Sequence, residues 1–399
     1  MKKEIWNKKN IIRAILFAIA FITAITAFTK GVLSLSDNKE GYRTIDASAA
    51  QDALLYANDF TFTYNFTGSS RQIRELKGAV REIYSGALLR AYKLLDPKNT
   101  YDGYYNLATL NIADGNPVAV GKELYSILED AYDKTLADAG FNMFAGALYD
   151  YVNSILILED PAEFDPENDP ETAGHIAALA ELAANPEYFS LRFYDDPDFT
   201  VSFTVSDEYR RKAAELEAEE PVLNLNLLKD AYMLDIVVNA LDEAGYTDGY
   251  ISSKSGLTYA LSEQKGLEYC IYGLNGNIPA ILETLPNKGR TVYSTFKAFG
   301  LGNESLYYTV EKNGRTLYRH PYISALDGSF DVRYLSLGSI LYLMPGQSDG
   351  GNKDGSTYRP AADTVFRNLR IWAGADSASA DDGFETFCVP LDRTDTVIR

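Results

Sequence analysis

The chain has 399 residues, of which 46% are hydrophobic, and a formal net charge of −19. This length and apolar content permit one large domain or two closely packed ones. The first 28 residues carry a charge of +4, so the remainder carries about −23, which argues against nucleic acid as a partner. An acidic surface is typical of an exported protein that must stay soluble, and this explanation is favoured over a specific cationic partner.

The N-terminus has the order of a signal peptide or signal anchor. Five basic residues among the first thirteen precede an uncharged run over residues 14–28. We predict a signal anchor and membrane segment over residues 1–33, with the N-terminus in the cytoplasm and the remainder on the extracytoplasmic face. A polar tether over 34–55 follows. Cleavage, which would release a secreted protein, is an open alternative, and so is a buried soluble helix.

The first half of the folded region alternates strand and helix patterns. Aromatic residues at 60, 62, 64 and 66 alternate with polar ones, which predicts a half-buried strand. Apolar residues at helical spacing predict helices over 70–95, 120–139 and 176–184. The acidic, proline-rich segment 159–171 is predicted to be an exposed loop, with calcium binding as the alternative. A turn at 195–198 separates predicted strands over 190–194 and 199–205.

The second half begins with a helix predicted over 229–244. Gly245 follows where a left-handed C-cap belongs, and a strand is predicted over 250–252. The glycine-rich stretch 346–355 is interpreted as a flexible insertion. Apolar residues over 365–372 and 384–389 suggest two more strands, so residues 329–399 are predicted to be mainly β, either as a separate portion or as the end of the same domain.

An ordered set of motifs over residues 56–328 resembles the ApbE-type flavin transferases. Tyr101-Asp102-Gly103 with a segment ending at Asn111 is similar to the family's Ser-Glu-x-x-x-Leu-Asn stretch, and 141–148 to its Phe-Asp-Pro-Thr-Val-Gly-Pro-Leu. Lys229 and Gly245 match the family's Leu-Asp-hydrophobic-Gly-Gly-x-x-Lys helix. Residues 307–320 resemble the hairpin that carries its histidine motif. The resemblance implies an α+β fold with antiparallel sheets packed against long helices.

The resemblance also implies a site, with FAD as substrate or ligand and Mg²⁺ as the assisting ion. His320 falls on the histidine proposed to act as base near the acceptor hydroxyl. Asn111, Gly146 and Lys229 fall in the flavin pocket, and Asp363 on a metal ligand. Each has an alternative reading: His320 as an inherited structural residue, Gly146 as a tight backbone position and Lys229 as a solvated cation.

Several departures from the family pattern fall on positions that bind ligand or metal in the family. Leu223 stands for the family's aspartate and Leu225 for a glycine. Lys254-Ser255 replaces a Gly-Gly pair, and these side chains obstruct a close approach of the backbone to a pyrophosphate. Arg367 stands for a metal-binding threonine, and a cation cannot ligate a metal. The metal site is therefore predicted to be incomplete.

Other chemistries find little support in the sequence. His175 and His320 are the two histidines, and neither lies in a zinc motif. There is no Gly-x-x-x-x-Gly-Lys phosphate loop. His175 is interpreted as a surface or partly packed residue. Whether Cys270 and Cys388 pair is left open.

Three functional hypotheses follow. The first is a membrane-anchored FAD:protein FMN transferase, with reduced or lost catalysis, that attaches FMN to Thr or Ser of a flavin-acceptor or surface redox protein. The second is a non-catalytic ectodomain of a cell-surface assembly that binds a flavin or a protein. The third is a purely structural ectodomain. Losses at several separate motifs favour a pseudoenzyme.

Overall fold

The computed structural model describes residues 39–47, 59–137, 140–218, 221–301, 306–330, 333–343, 359–375 and 384–391. Its centre is a seven-stranded antiparallel sheet in the order β1-β2-β6-β7-β10-β13-β14. The strands are β1 Gly41–Ile45, β2 Phe60–Phe66, β6 Gly249–Ser253, β7 Leu257–Ala260, β10 Thr291–Lys297, β13 Tyr334–Tyr342 and β14 Phe384–Pro390. The predicted α+β class with antiparallel sheets is confirmed.

Strand β10 shows how the central sheet is covered on both faces. All its residues are buried, and alternate side chains point to opposite faces. Val292 and Phe296 belong to the main core beneath the helices. Tyr293 belongs to a second apolar cluster formed with the hairpin of β8 Glu268–Asn275 and β9 Ile278–Pro286. The sheet is therefore a middle layer.

Three helices cover one face of the sheet: α1 Ser70–Leu94, α7 Leu227–Glu243 and α8 Pro360–Trp372. Ser69 and Gln72 form a capping box that starts α1. Helix α7 packs against both α1 and α8. Gly245 follows two residues after the end of α7, and its φ of +78° gives the left-handed C-cap that the sequence predicts.

The remaining elements build the regions beside this layer. Five helices are α2 Leu107–Ile112, α3 Gly121–Leu136, α4 Gly146–Leu156, α5 Pro170–Ala184 and α6 Asp207–Glu215. Strands β3 Val118–Ala119, β4 Phe189–Phe193 and β5 Thr200–Val205 form a three-stranded sheet in the order β3-β5-β4. Strands β11 Tyr308–Lys312 and β12 Arg315–Arg319 form the second hairpin.

The prediction of a strand over 365–372 is wrong, because these residues lie in α8. Pro360 fits the first turn of a helix, and apolar residues at 361, 365 and 369 recur every four residues on its buried face. Strands β13 and β14 are nevertheless present. They extend the central sheet, so the described C-terminal residues form one sheet with the preceding domain.

Two segments predicted to be irregular contain ordered structure. Part of the tether predicted over 34–55 is strand β1, whose backbone pairs with β2. The acidic loop 159–171 contains a 3₁₀ helix, Pro161–Phe164. Asp165 at its end is fully buried and accepts two hydrogen bonds, of 2.6 and 3.0 Å, from Arg319. A buried carboxylate needs such a partner, and this pair holds the loop to hairpin β11–β12.

The predicted anchor over 1–33 and the glycine-rich stretch 346–355 lie outside the described residues. Across the described ranges, no helix has the length and apolar character needed to span a membrane. Cys270 and Cys388 are both described, and both are free thiols.

A buried carboxylate joins helices α7 and α8. Asp235 on α7 is 1% exposed and accepts hydrogen bonds of 2.9 and 3.1 Å from the N–H groups of Ala361 and Ala362. These N–H groups lie in the first turn of α8 and have no partner within their own helix. Burial raises the pKa of Asp235 to about 7. Asp235 therefore caps a helix to which it does not belong.

We expect Asp235→Ala to lower the free energy of unfolding by about 2–3 kcal/mol, because it leaves two buried N–H groups without an acceptor. Asp169→Ala is the matched control, since Asp169 caps α5 from a partly exposed position and its loss should cost about 1 kcal/mol. Urea unfolding of both variants measures the difference. Equal losses would contradict the role given to Asp235.

Candidate functional site

A polar cleft lies at the start of α7. It has a volume of about 280 Å³, near the lower end of the range typical of small-molecule sites. Charged side chains of both signs line it together with several amides: Asp96, Lys98, Asn99, Asp150, Asn153, Asn224, Asn226 and Lys229, with Tyr92 and Pro97. Amides offer both donors and acceptors, so the wall suits a polar heterocycle.

Asn111, predicted to lie in the flavin pocket, shapes the backbone of this region. Its Oδ1 accepts from the N–H of Leu223 at 2.8 Å, while its Nδ2 donates to the carbonyls of Leu223 and Pro97, each at 3.1 Å. The amide therefore holds two chain segments that meet at the cleft. Its hydrogen-bonding groups face protein backbone, so Asn111 acts on the cleft through the segment that it holds.

The segment around Asn226 explains two departures from the family pattern. Leu223 and Leu225 are at most 1% exposed, so their side chains fill the core where the family has an aspartate and a glycine. Asn226, aligned with the second glycine of the pattern, has φ of +46° and ψ of −123°. That conformation favours glycine, and the chain thus keeps the glycine-type bend with an asparagine.

Gly146 is a close-approach position. Its N–H donates to the carbonyl of Val222 at 3.0 Å. A Cβ added at Gly146 would lie 2.0 Å from the carbonyl oxygen of Pro221 and 2.7 Å from that of Val222. Helix α4 can therefore begin here only with glycine, and it supports the same segment that Asn111 holds.

Lys229 lies within the cleft. Its ammonium is 4.9 Å from the ring centroid of Tyr92. Burial lowers the pKa of Lys229 below its ordinary value, against the opposing effect of Asp96 and Asp230. Asp96 stays ionised: although burial opposes it, hydrogen bonds from Tyr101, Lys98, Asn99 and Tyr92 lower its pKa. The cationic and anionic groups of the cleft thus balance.

His320, the predicted base, is fully buried. Its Nδ1 accepts from the N–H of Tyr322 at 3.1 Å, and its ring packs edge-on against Trp372 with centroids 5.1 Å apart. Among the described residues its Nε2 has no hydrogen-bond partner. Burial, aided by the charge of Arg319, lowers the pKa of His320 to about 3. The imidazole is therefore neutral but closed to solvent and to any acceptor hydroxyl.

Asp363, the predicted metal ligand, contacts a lysine. The Nζ of Lys134 lies 2.9 Å from the Oδ1 of Asp363 and 2.6 Å from the Oδ1 of Asp130. These carboxylates raise the pKa of Lys134, although its burial works in the opposite direction. Arg367, at the family threonine, donates instead to Thr386 at 3.2 Å.

These residues do not fit a magnesium site. Magnesium needs several oxygen ligands in near-octahedral geometry, and here an ammonium and a guanidinium stand among the candidates. Among the described residues, no group of three or more His, Cys, Asp and Glu side chains could hold a metal ion.

The structure brings together some of the predicted site residues and separates others. Asn111 and Gly146 contact the segment 221–229, and Lys229 is its last residue. His320 contacts the last residue of α8, whereas Asp363 lies in its first turn, ~14 Å away along the helix axis. Sequence reasoning missed Asp96, Asp130 and Lys134. The i, i+4 spacing of Asp130 and Lys134 was the available signal for that pair.

The layered architecture is similar to that of solved ApbE flavin transferases. A flavin transferase ApbE from Vibrio cholerae is 10% identical and covers 83% of this chain and 93% of its own, with a TM-score of 0.50. An ApbE protein from Thermotoga maritima is 13% identical and covers 90% and 97%, with a TM-score of 0.52. The predicted resemblance is thus confirmed for the fold. No protein-family model and no curated protein matches the sequence.

We expect Gly146→Ala to destabilise the protein by about 2–4 kcal/mol, because the start of α4 must move away from segment 221–222. Gly86→Ala is the control, since Gly86 lies on the exposed side of α1 with open space around it. That change should stabilise the helix by about 0.5–1 kcal/mol. Urea denaturation of both variants measures whether each change raises or lowers the free energy of unfolding. A neutral Gly146→Ala would refute the close approach.

The buried imidazole predicts a pH dependence of stability. The unfolded chain binds a proton to His320 near its ordinary pKa of about 6.5, whereas the folded chain binds one only near pH 3. The unfolded state therefore holds more protons in this window, and wild type should lose about 1.4 kcal/mol per pH unit as pH falls below 6.5. His320→Gln should lack this contribution.

The measurement is urea unfolding of wild type and His320→Gln from pH 7.5 to 4.5. His175→Gln is the control and should follow wild type, because His175 is partly exposed and packs on Tyr151. Parallel pH profiles for wild type and His320→Gln would show that the imidazole is accessible to protons.

Proposed function

We propose that this protein is a flavin-transferase-like protein that binds the ring of a flavin in the cleft at the start of α7 and does not transfer FMN. The fold shared with flavin transferases supports the choice of ligand. The observation that carries the loss of transfer is the complete burial of His320, whose Nδ1 is engaged by the backbone of Tyr322. A base must reach the proton that it removes.

The composition of the cleft favours a flavin ring over the diphosphate of FAD. Lys98 pairs with Asp150 at 2.6 Å, and Lys229 faces the ionised Asp96. A diphosphate would meet these two carboxylates without an excess of positive charge. The carbonyl and imide groups of a flavin ring carry no net charge, and they match the donors and acceptors of Asn224, Asn226 and Asn99.

The departures also remove the groups that stabilise a transferring phosphoryl group. Such a group needs nearby cations or a metal ion as charge develops on its oxygens. Asp363 is committed to Lys134, and Arg367 to Thr386. FMN transfer would lack both the accessible base and this electrostatic support. When bound, the flavin itself supplies redox chemistry, and the cleft residues hold and orient its ring.

We further propose that the folded region acts on the extracytoplasmic side of a membrane, anchored by residues 1–33, beside a flavin-acceptor or surface redox protein. The basic residues before the apolar run 14–28 support this orientation. A cell-surface ectodomain that binds a protein instead of a flavin is the alternative hypothesis.

The test is a titration of the full-length chain, in mild detergent that accommodates the apolar run, with riboflavin, FMN and FAD. We expect quenching of flavin fluorescence with affinities that agree within about tenfold for the three ligands, because the ring supplies the contacts. Chromatography should detect no AMP from FAD, with or without Mg²⁺.

Two lysine variants locate the binding site. Lys229→Met should weaken flavin binding by at least about tenfold, because it removes a charged hydrogen-bond donor for the ring carbonyls. Lys122→Met, an exposed change on α3, should leave binding unchanged. Magnesium-dependent AMP release would overturn the proposed loss of transfer, and the absence of any flavin binding would leave the protein-binding alternative.

A further inference from the structure

We infer that the ammonium of Lys134 is the resident cation of the Asp130–Asp363 carboxylate pair, in place of the divalent ion that the family resemblance implies. The Nζ of Lys134 lies 2.6 Å from one carboxylate and 2.9 Å from the other. Its side chain is only 8% exposed. A buried ammonium needs such partners, and a divalent ion would compete for the same oxygens.

The surrounding hydrogen bonds leave few oxygens free for a metal. Asp130 uses its Oδ1 for Lys134 and accepts from the hydroxyl of Tyr232 through Oδ2 at 2.6 Å. Asp363 uses its Oδ1 for Lys134. Asp235, the nearby carboxylate on α7, has both oxygens on the first turn of α8. A divalent ion would therefore have to break existing contacts to gain its ligands.

The charge around the pair also opposes a divalent ion. Arg359 precedes α8, is 3% exposed and donates to the Oγ of Ser126 on α3 at 2.6 Å. Its charge is close enough to interact with Asp363. Lys134 and Arg359 thus contribute two positive charges, the same total as one Mg²⁺, and they are covalently fixed. A further dication would meet repulsion from both.

The lysine also has a structural consequence. Asp130 and Lys134 lie on α3 and Asp363 on α8, so the ion pairs connect two helices that are remote in sequence. In a metal site this connection would depend on the bound ion. Here the chain supplies its own cation, and the folded state is independent of magnesium.

The experiment follows Mn²⁺ binding by electron paramagnetic resonance, and thermal unfolding with and without Mg²⁺, on the full-length chain in detergent. Wild type and Asp363→Asn should bind Mn²⁺ equally weakly. Adding Mg²⁺ should leave the Tm of each protein unchanged. Lys134→Met keeps the apolar stem and removes the charge. It should be less stable than wild type and bind Mn²⁺ at least about tenfold more tightly, with Mg²⁺ raising its Tm.

Two controls make the result specific. Lys134→Met combined with Asp363→Asn should lose the gained Mn²⁺ affinity, and Lys212→Met should gain none, because Lys212 pairs with the single carboxylate Glu208. The inference would be overturned if wild type bound Mn²⁺ and Asp363→Asn abolished that binding. It would also be overturned if Lys134→Met folded and bound Mn²⁺ no more tightly than wild type. If Lys134→Met does not fold, the comparison of wild type with Asp363→Asn decides. Flavin binding is a separate readout, so each proposal can fail alone.

Discussion

The cleft depends on how the backbone of residues 222–224 is held. The carbonyl of Val222 accepts from the N–H of Gly146, the peptide groups of Leu223 pair with the Asn111 amide, and the N–H of Asn224 donates to the carbonyl of Met143. These bonds come from two separate parts of the chain. They fix the direction in which α7 begins, and with it the position of Lys229.

The carboxylates discussed above are paired with donors from the chain itself. Asp165 is paired with Arg319, Asp130 and Asp363 with Lys134, and Asp235 with the start of α8. Each of these carboxylates therefore has a donor, and for the fully buried Asp165 and Asp235 the cost of burying an ion requires one. The partners come from the chain itself. These contacts connect helices, strands and loops that are distant in sequence.

Local patterns predicted the regular elements well. The aromatic alternation over 60–66 and the C-cap glycine Gly245 both act through neighbouring residues, and the structure shows both in place. The stretch 365–372 failed because its apolar residues suit a buried strand as well as one face of a helix. The capping contact that favours the helix comes from Asp235, far away in sequence.

Part of the candidate site was also predictable from local sequence patterns. The motif order selected Asn111, Gly146 and Lys229, and the structure places all three around one segment. The sequence alone also established the acidic composition, the order of the basic and apolar residues at the N-terminus, and the resemblance to a flavin transferase. These properties depend on residue identity and short spacing.

Only the tertiary structure decided the state of the chemical groups. Whether His320 meets solvent, and whether Asp363 faces a metal or an ammonium, depends on elements that are brought together from distant parts of the chain. Lys134 reaches Asp363 across 229 positions of sequence, and Trp372 closes over His320 from a helix that starts forty residues later. Burial and charge pairing are properties of packed surfaces, and no local pattern contains them.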